Sequence, residues 1–190
     1  LCKLNVKQLH PMRHFLPALH VFALNLVISI YVQLNSIMLG FMSGDTAVGL
    51  FTAASKLSHT LLGISSALGT AMLPRMSYLI ANGEKDKFEQ MCRKSMRFMV
   101  GISLPITLGL IFTAPILIKL FAGSTYHDAI FTLQLLSPIV LAISMSGVSG
   151  IQVLYPMGKV NAVIWATGIG AVLNFLLNLW LIPVYAQDGA

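Results

Sequence analysis

Lys56 and His59 stand less than one helical turn apart inside an apolar stretch, where a basic side chain is hard to accommodate. Within a membrane span a lysine costs about 2.5–3.5 kcal/mol, and such residues face a cavity, a partner or the interface. Lys56 therefore has two readings. It either snorkels to the headgroups or closes a structural ion pair, or it faces a cavity and attracts an anionic substrate. His59 has two as well: a group that changes protonation near neutral pH, or a hydrogen-bonded packing histidine. Amides offer a second chemistry. Asn25 and Gln33 share one apolar stretch, and Asn174 and Asn178 share another. Each amide can bond sugar hydroxyls in a wet cavity or hold two helices together, the latter for about 0.6 kcal/mol.

Other chemistry lacks its residues. All six acids lie in or beside loops, so no intramembrane carboxylate pair exists for acid–base work. His10, His14 and His20 lack the spacing of a helical zinc site, and no P-loop or Rossmann glycine pattern occurs. Cys2 and Cys92 lie far apart in basic segments, which indicates neither a disulfide framework nor a metal knuckle. The expectation is a chain with no catalytic residue, metal or cofactor.

The elements that position these groups follow from composition. The 190 residues are 56% hydrophobic and only 9% charged, with a mean hydropathy of +0.81. A soluble domain carries about 25% charged residues, so this is an all-α membrane protein. Five stretches are long enough to cross the hydrocarbon core: about 16–42, 47–73, 98–121, 129–155 and 162–184. The punctuators are Ser43-Gly44-Asp45, the charged run Asn82 to Arg97, Gly123-Ser124-Thr125 and Pro156 to Lys159.

Basic residues in short loops stay on the cytoplasmic side. With residues 1–15 as a cytoplasmic basic arm, the inner segments hold Lys3, Lys7, Arg13, Arg75, Lys85, Lys87, Arg93, Lys94, Arg97 and Lys159, and the outer ones only Lys119. The net charge of +6 thus reflects topology and not a nucleic-acid partner. The chain opens without methionine and stops just after a span, which reads as part of a longer polytopic protein.

At about 100° per residue, Thr52, Lys56, His59, Gly63, Ser66 and Thr70 fall on one line of the second span, opposite Leu50, Leu57, Leu61, Ile64, Leu68 and Met72. Helix packing through small residues explains Gly63, Ser66 and Thr70; it explains Lys56 less well. The first span aligns Asn25, Ser29, Gln33 and Ser36, and the fifth aligns Thr167, Gly170, Asn174 and Asn178. In the fourth, Gln134, Ser149 and Gln152 share a line. The third is nearly all apolar, which reads as a peripheral helix.

Asn35-Ser-Ile-Met-Leu-Gly40 followed by Val48-Gly-Leu-Phe-Thr-Ala-Ala-Ser-Lys56 resembles a stretch of the polysaccharide and oligosaccharide flippases. Leu73-Pro-Arg-Met-Ser77, Leu120-Phe-Ala-Gly123, Gly150-Ile-Gln-Val-Leu154, Asn174 to Asn178, Ile182-Pro183 and Gly189-Ala190 continue the likeness in order, from about Pro17 to the end. The resemblance implies the multidrug/oligosaccharidyl-lipid/polysaccharide exporter superfamily, with two helical bundles about a central cavity and alternating access. Residues 16–190 would then be the opening five helices of the second bundle, in the cell membrane, with the first bundle as partner. The implied substrate is a lipid-linked oligosaccharide. Lys56 matches the family's lysine and Arg75 its arginine, so the implied path holds Lys56, His59, Asn25, Gln33, Asn174, Asn178 and Arg75. Asn35 stands where the family has an aspartate, and an amide cannot titrate. A proton- or sodium-binding role does not carry over there.

Rival readings differ in the residues they need. A drug/cation antiporter needs acids in its cavity, and the spans hold none. A membrane-embedded glycan-modifying enzyme needs a carboxylate or a His–Asp pair at a cleft. A scaffold needs its polar faces sealed by packing.

Overall fold

The computed structural model describes residues 11–190, and these are all-helical. Residues 1–10 of the predicted basic arm, with Cys2, lie outside the described residues. Helix α1 (Pro11–Ala81) is broken at one position. Gly44, with φ 84° and ψ 177°, divides it into a first arm, residues 11–43, and a second arm, residues 45–81. That region of backbone space is open to glycine almost alone. The sequence signal Ser43-Gly44-Asp45 therefore marks a corner of a single residue, without a loop.

Helix α2 (Lys85–Phe121) leads through a short 3-10 turn (Ser124–Tyr126) to α3 (Ala129–Gly147). α3 runs straight into a π-helical segment (Val148–Leu154), and α4 (Val160–Tyr185) ends in a second 3-10 turn (Ala186–Gly189). Three of these are long and apolar enough to cross a bilayer: Lys85–Phe121, Ala129–Leu154 and Val160–Gly189. The chain is a multi-pass membrane protein. The apolar stretch of the first arm, Ile28–Ser43, is shorter, and the described part of the second arm, which carries Lys56 and His59, is not among the three. Hydropathy thus supports three spans where the sequence reading expects five.

Packing reverses the expectation for α2. Its Ser95, Met99, Ser103, Thr107, Leu110, Ala114 and Ile118 recur every three or four residues and are all buried. α3 answers with Ala129, Leu133, Ser137, Val140 and Ser144. The main core joins Leu110, Ala114 and Ile118 to Leu133 and Val140 of α3 and to Ala54 and Leu62 of the second arm. α2 is central. The absence of a polar stripe was misleading, because in a membrane small residues mark the packing face, while Phe112, Ile116 and Leu120 stay exposed. Three hydroxyls on these faces are satisfied on their own helix: Ser103 donates to the Met99 carbonyl (2.6 Å), Ser137 to Leu133 (2.7 Å) and Ser144 to Val140 (2.7 Å); the buried Thr107 hydroxyl has no partner among the described residues.

α4 is the peripheral helix, burying only Asn178 and Ile182. Ile182 packs with Met38, Leu39, Ala47 and Phe51 around the Gly44 corner. Asn178 Nδ2 donates to Asn35 Oδ1 at 2.8 Å and more weakly to Asn174 Oδ1 at 3.4 Å. Thr132 Oγ1 donates to the Asp188 carboxylate at 2.6 Å and ties the closing turn to α3.

Two stability measurements check this frame. Gly44→Ala should cost about 1–3 kcal/mol, seen as a lower thermal midpoint in detergent; an unchanged midpoint would place the corner elsewhere. A double-mutant cycle on Asn35→Ala and Asn178→Ala should return a coupling of about 0.6 kcal/mol, and strict additivity would remove the amide contact.

Candidate functional site

The second arm presents its polar line outward. Lys56, His59, Gly63, Ser66 and Thr70 are exposed and Thr52 half-buried, while Ala54, Ser58 and Leu62 turn into the core. Most hydroxyls on this line satisfy themselves on their own helix: Thr60 donates to the Lys56 carbonyl at 2.8 Å, Ser66 to Gly63 at 3.0 Å and Thr70 to Ser66 at 2.8 Å. Thr52 does not. Its hydroxyl has no protein partner among the described residues, and neither has the Lys56 ammonium. The ion pairs present are Lys87–Glu84 (2.6 Å), Arg93–Glu89 (4.0 Å) and His127–Asp128 (4.0 Å), all in charged turns or beside them.

Lys56 borders two adjoining cavities of about 430 Å³ each. The first is an apolar groove between the second arm and α2, lined by Leu57, Leu61, Leu110 and Leu117. The second is more polar and holds Thr52, Gly49 and Tyr126. Both share Ala53, Lys56, Phe121 and Ala122, so the ammonium stands where hydrocarbon surface gives way to hydroxyls. The Tyr126 ring lies against Gly49, its Oη 3.7 Å from where a Cβ would sit. That hydroxyl too lacks a protein partner among the described residues. Tyr126 is the residue sequence reading passed over. It sits one position beyond Gly123-Ser124-Thr125, and only the small Gly49 opposite hints that a ring could close on the arm there.

The other sequence-predicted residues do not gather at this point. His59 is exposed on the same arm but lines neither cavity. Arg75 is exposed nineteen residues further on, about 28 Å along the helix axis. Asn25 and Gln33 are exposed on the first arm. Asn178 meets Asn35 at the α4 contact, a bond between two helices, and Asn174 accepts from Asn178 on its own helix.

A second polar site lies where α2 meets the π-helical segment. Gln152 is fully buried, and its Oε1 accepts a hydrogen bond from Ser95 Oγ. Its Nε2 has no partner and faces Gly69 of the second arm, where a Cβ would come within 3.3 Å. The π-helical register, wider than 3.6 residues per turn, separates Gln152 from exposed Ser149. The line of Gln134, Ser149 and Gln152 drawn from an ideal helix is therefore not kept. Gln134 instead donates to the Ile111 carbonyl at 3.0 Å.

Comparison with known proteins accords with this geometry. The sequence profile of a family described as polysaccharide biosynthesis protein matches residues 2–131. A relative from Escherichia coli (strain K12) is 33% identical over 187 residues, covering 96% of this chain and 44% of the relative. Another, from Shigella dysenteriae, is 30% identical over 161 residues, covering 85% of this chain and 40% of the relative. Both carry the provisional name O-antigen transporter. The chain thus spans less than half the length of these curated relatives. No solved structure matches it. With two thirds of its length matched by the family profile and the motifs around Lys56 and Arg75 in the family's order, the chain belongs to the polysaccharide biosynthesis family, the polysaccharide and oligosaccharide flippases.

Proposed function

We propose that this chain is part of an alternating-access exporter that moves a lipid-linked oligosaccharide from the inner to the outer leaflet of the cell membrane. In this reading residues 16–190 supply five helices of a second bundle, the first bundle covers the polar line of the second arm, and the amino-terminal arm is cytoplasmic. The observation that carries it is Lys56. A lysine within an apolar helical region carries no counter-ion among the described residues and borders two cavities. A lysine without a counter-ion that borders a cavity is free to meet an anion that visits. A diphosphate bridging a glycan to its lipid is such an anion. The O-antigen transporter name of two relatives supports a polysaccharide unit as cargo.

The remaining path residues take successive parts. Arg75, about 28 Å nearer the inner end of the arm, meets the phosphate first. His59, Ser66 and Thr70 line the way between them and offer hydrogen bonds to sugar hydroxyls. Asn25 and Gln33 do so from the first arm, and Asn174 and Asn178 hold the bundle that rocks. The breaks at Gly44 and at the π-helical segment are where the helices bend during that motion. No covalent step is involved, and the acid-free spans do not suit an organic cation as cargo.

Complementation tests this reading. In a strain whose own exporter is deleted, Lys56→Ala in the full-length protein should cut surface glycan to below about a tenth of the unmodified level at equal membrane abundance. Lys56→Arg, which keeps the charge, should retain most of it. Undiminished export by Lys56→Ala would take Lys56 out of the path.

A further inference from the structure

Gln152 is buried on a turn that is not α-helical, and the two facts have one cause. At about 100° per residue, an α-helix continued from buried Ser144 would put Ile151 about 20° from the packing face and Gln152 about 80° from it. The structure shows the reverse: Gln152 is fully buried and Ile151 is 41% exposed. The π-helical segment Val148–Leu154, with its wider turn, makes the exchange. The same stretch thus has two registers, one with isoleucine inside and one with glutamine inside. We infer that this turn is a register switch for one end of the bundle, with Gln152 as its latch. In the π register the amide ties the extension of α3 to α2 and the second arm, and that end is closed. Relaxation to the α register withdraws the amide and lets the end open. The inference rests on the transporter reading and deepens it, because it names the residues that govern the motion.

The contacts of the amide are finely opposed. Gln152 Oε1 accepts a hydrogen bond from Ser95 Oγ of α2, which favours the π register. Nε2 lies against Gly69 of the second arm, where a Cβ would come within 3.3 Å of it and 3.5 Å of Met99 Cε. That nitrogen has no acceptor among the described residues, and a buried donor left unpaired works against the same register. A switch requires such opposition, and π turns of this kind are rare and frequently sit at functional sites. Val153, the next residue, packs with Met76, Leu79 and Phe88, so withdrawal of the turn unpacks an apolar cluster as well. With the amino-terminal arm inside, as proposed, this is the cytoplasmic end.

Deletion of Gly150 in the full-length protein separates a switch from a static staple. It takes out the extra residue and puts Gln152 on the inward face of an unbroken α-helix, so the contact to Ser95 is kept and the second register is lost. In a strain whose own exporter is deleted, this variant should reach ordinary membrane abundance yet restore surface glycan to below about a tenth of the unmodified level. Ser95→Ala acts in the other direction, because it orphans the buried acceptor. Met76 is fully buried in the closed end, and Met76→Cys in a cysteine-free background reports on it. In inside-out vesicles, Ser95→Ala should speed its reaction with a charged thiosulfonate about tenfold; Ser95→Thr, which keeps the hydroxyl, should not. In the Gly150 deletion the same cysteine should stay unreactive. Normal export by the deletion variant would overturn the switch, and so would a cysteine whose rate ignores Ser95→Ala. Should the deletion variant fail to insert, the two Ser95 variants still decide. If the unmodified protein restores no glycan while Ser95→Ala exposes the cysteine, the transporter reading falls and the register change stands. If the unmodified protein and the deletion variant both export, the reading stands and the switch falls.

Discussion

Hydrocarbon does not solvate charge, and the arrangement of this bundle follows from that constraint. Many polar groups that its helices carry inward are disposed of locally, although the hydroxyls of Ser55, Ser58 and Thr107 and the Gln152 amide nitrogen are buried without a partner among the described residues. Serine and threonine hydroxyls return to the carbonyl three or four residues back, Asn178 closes on Asn35, and Gln134 reaches the Ile111 carbonyl. A closed scaffold would treat a lysine in the second arm the same way. Lys56 is treated otherwise: among the described residues its ammonium has no acid or carbonyl partner, and it borders two cavities.

The helices around it serve to hold that space open. α2 and α3 pack along a stripe of Ser, Thr, Ala and Leu so closely that they act as one wall. The second arm meets that wall through Ala54 and Leu62, set back from its polar line. The groove remains because the residues between these contacts, Leu57 and Leu61, are only half-buried. α4 stands apart, joined through the Gly44 corner by Ile182 and the asparagine contact.

Much of this was legible in the sequence, because composition and periodicity carry the membrane class, the turn at Gly44 and the outward polar line of the second arm. What escaped was whatever depends on partners. The central place of α2 was hidden because Ser103, Thr107 and Ala114 are unremarkable to a hydropathy count, though they form its contact face. Gln152 was assigned to a line that a π-helical turn dissolves, a register change no 100° projection can foresee. Tyr126 was missed because its role arises only when the 3-10 turn folds its ring onto Gly49. Asn178 showed both of its possible uses, and only the structure reveals its 2.8 Å contact to Asn35.

The claim on which the account turns is that the environment of Lys56 is wet and reachable. Single cysteines at Thr52, Lys56 and, turned into the core, Ala54 and Leu62, each introduced into a cysteine-free background, can be titrated in intact membranes with a charged thiosulfonate. Fast modification at positions 52 and 56, slowed by added lipid diphosphate, with none at 54 and 62, is the pattern expected. Positions 52 and 56 as unreactive as the other two would mean a sealed helix face, and no path for a charged carrier would remain.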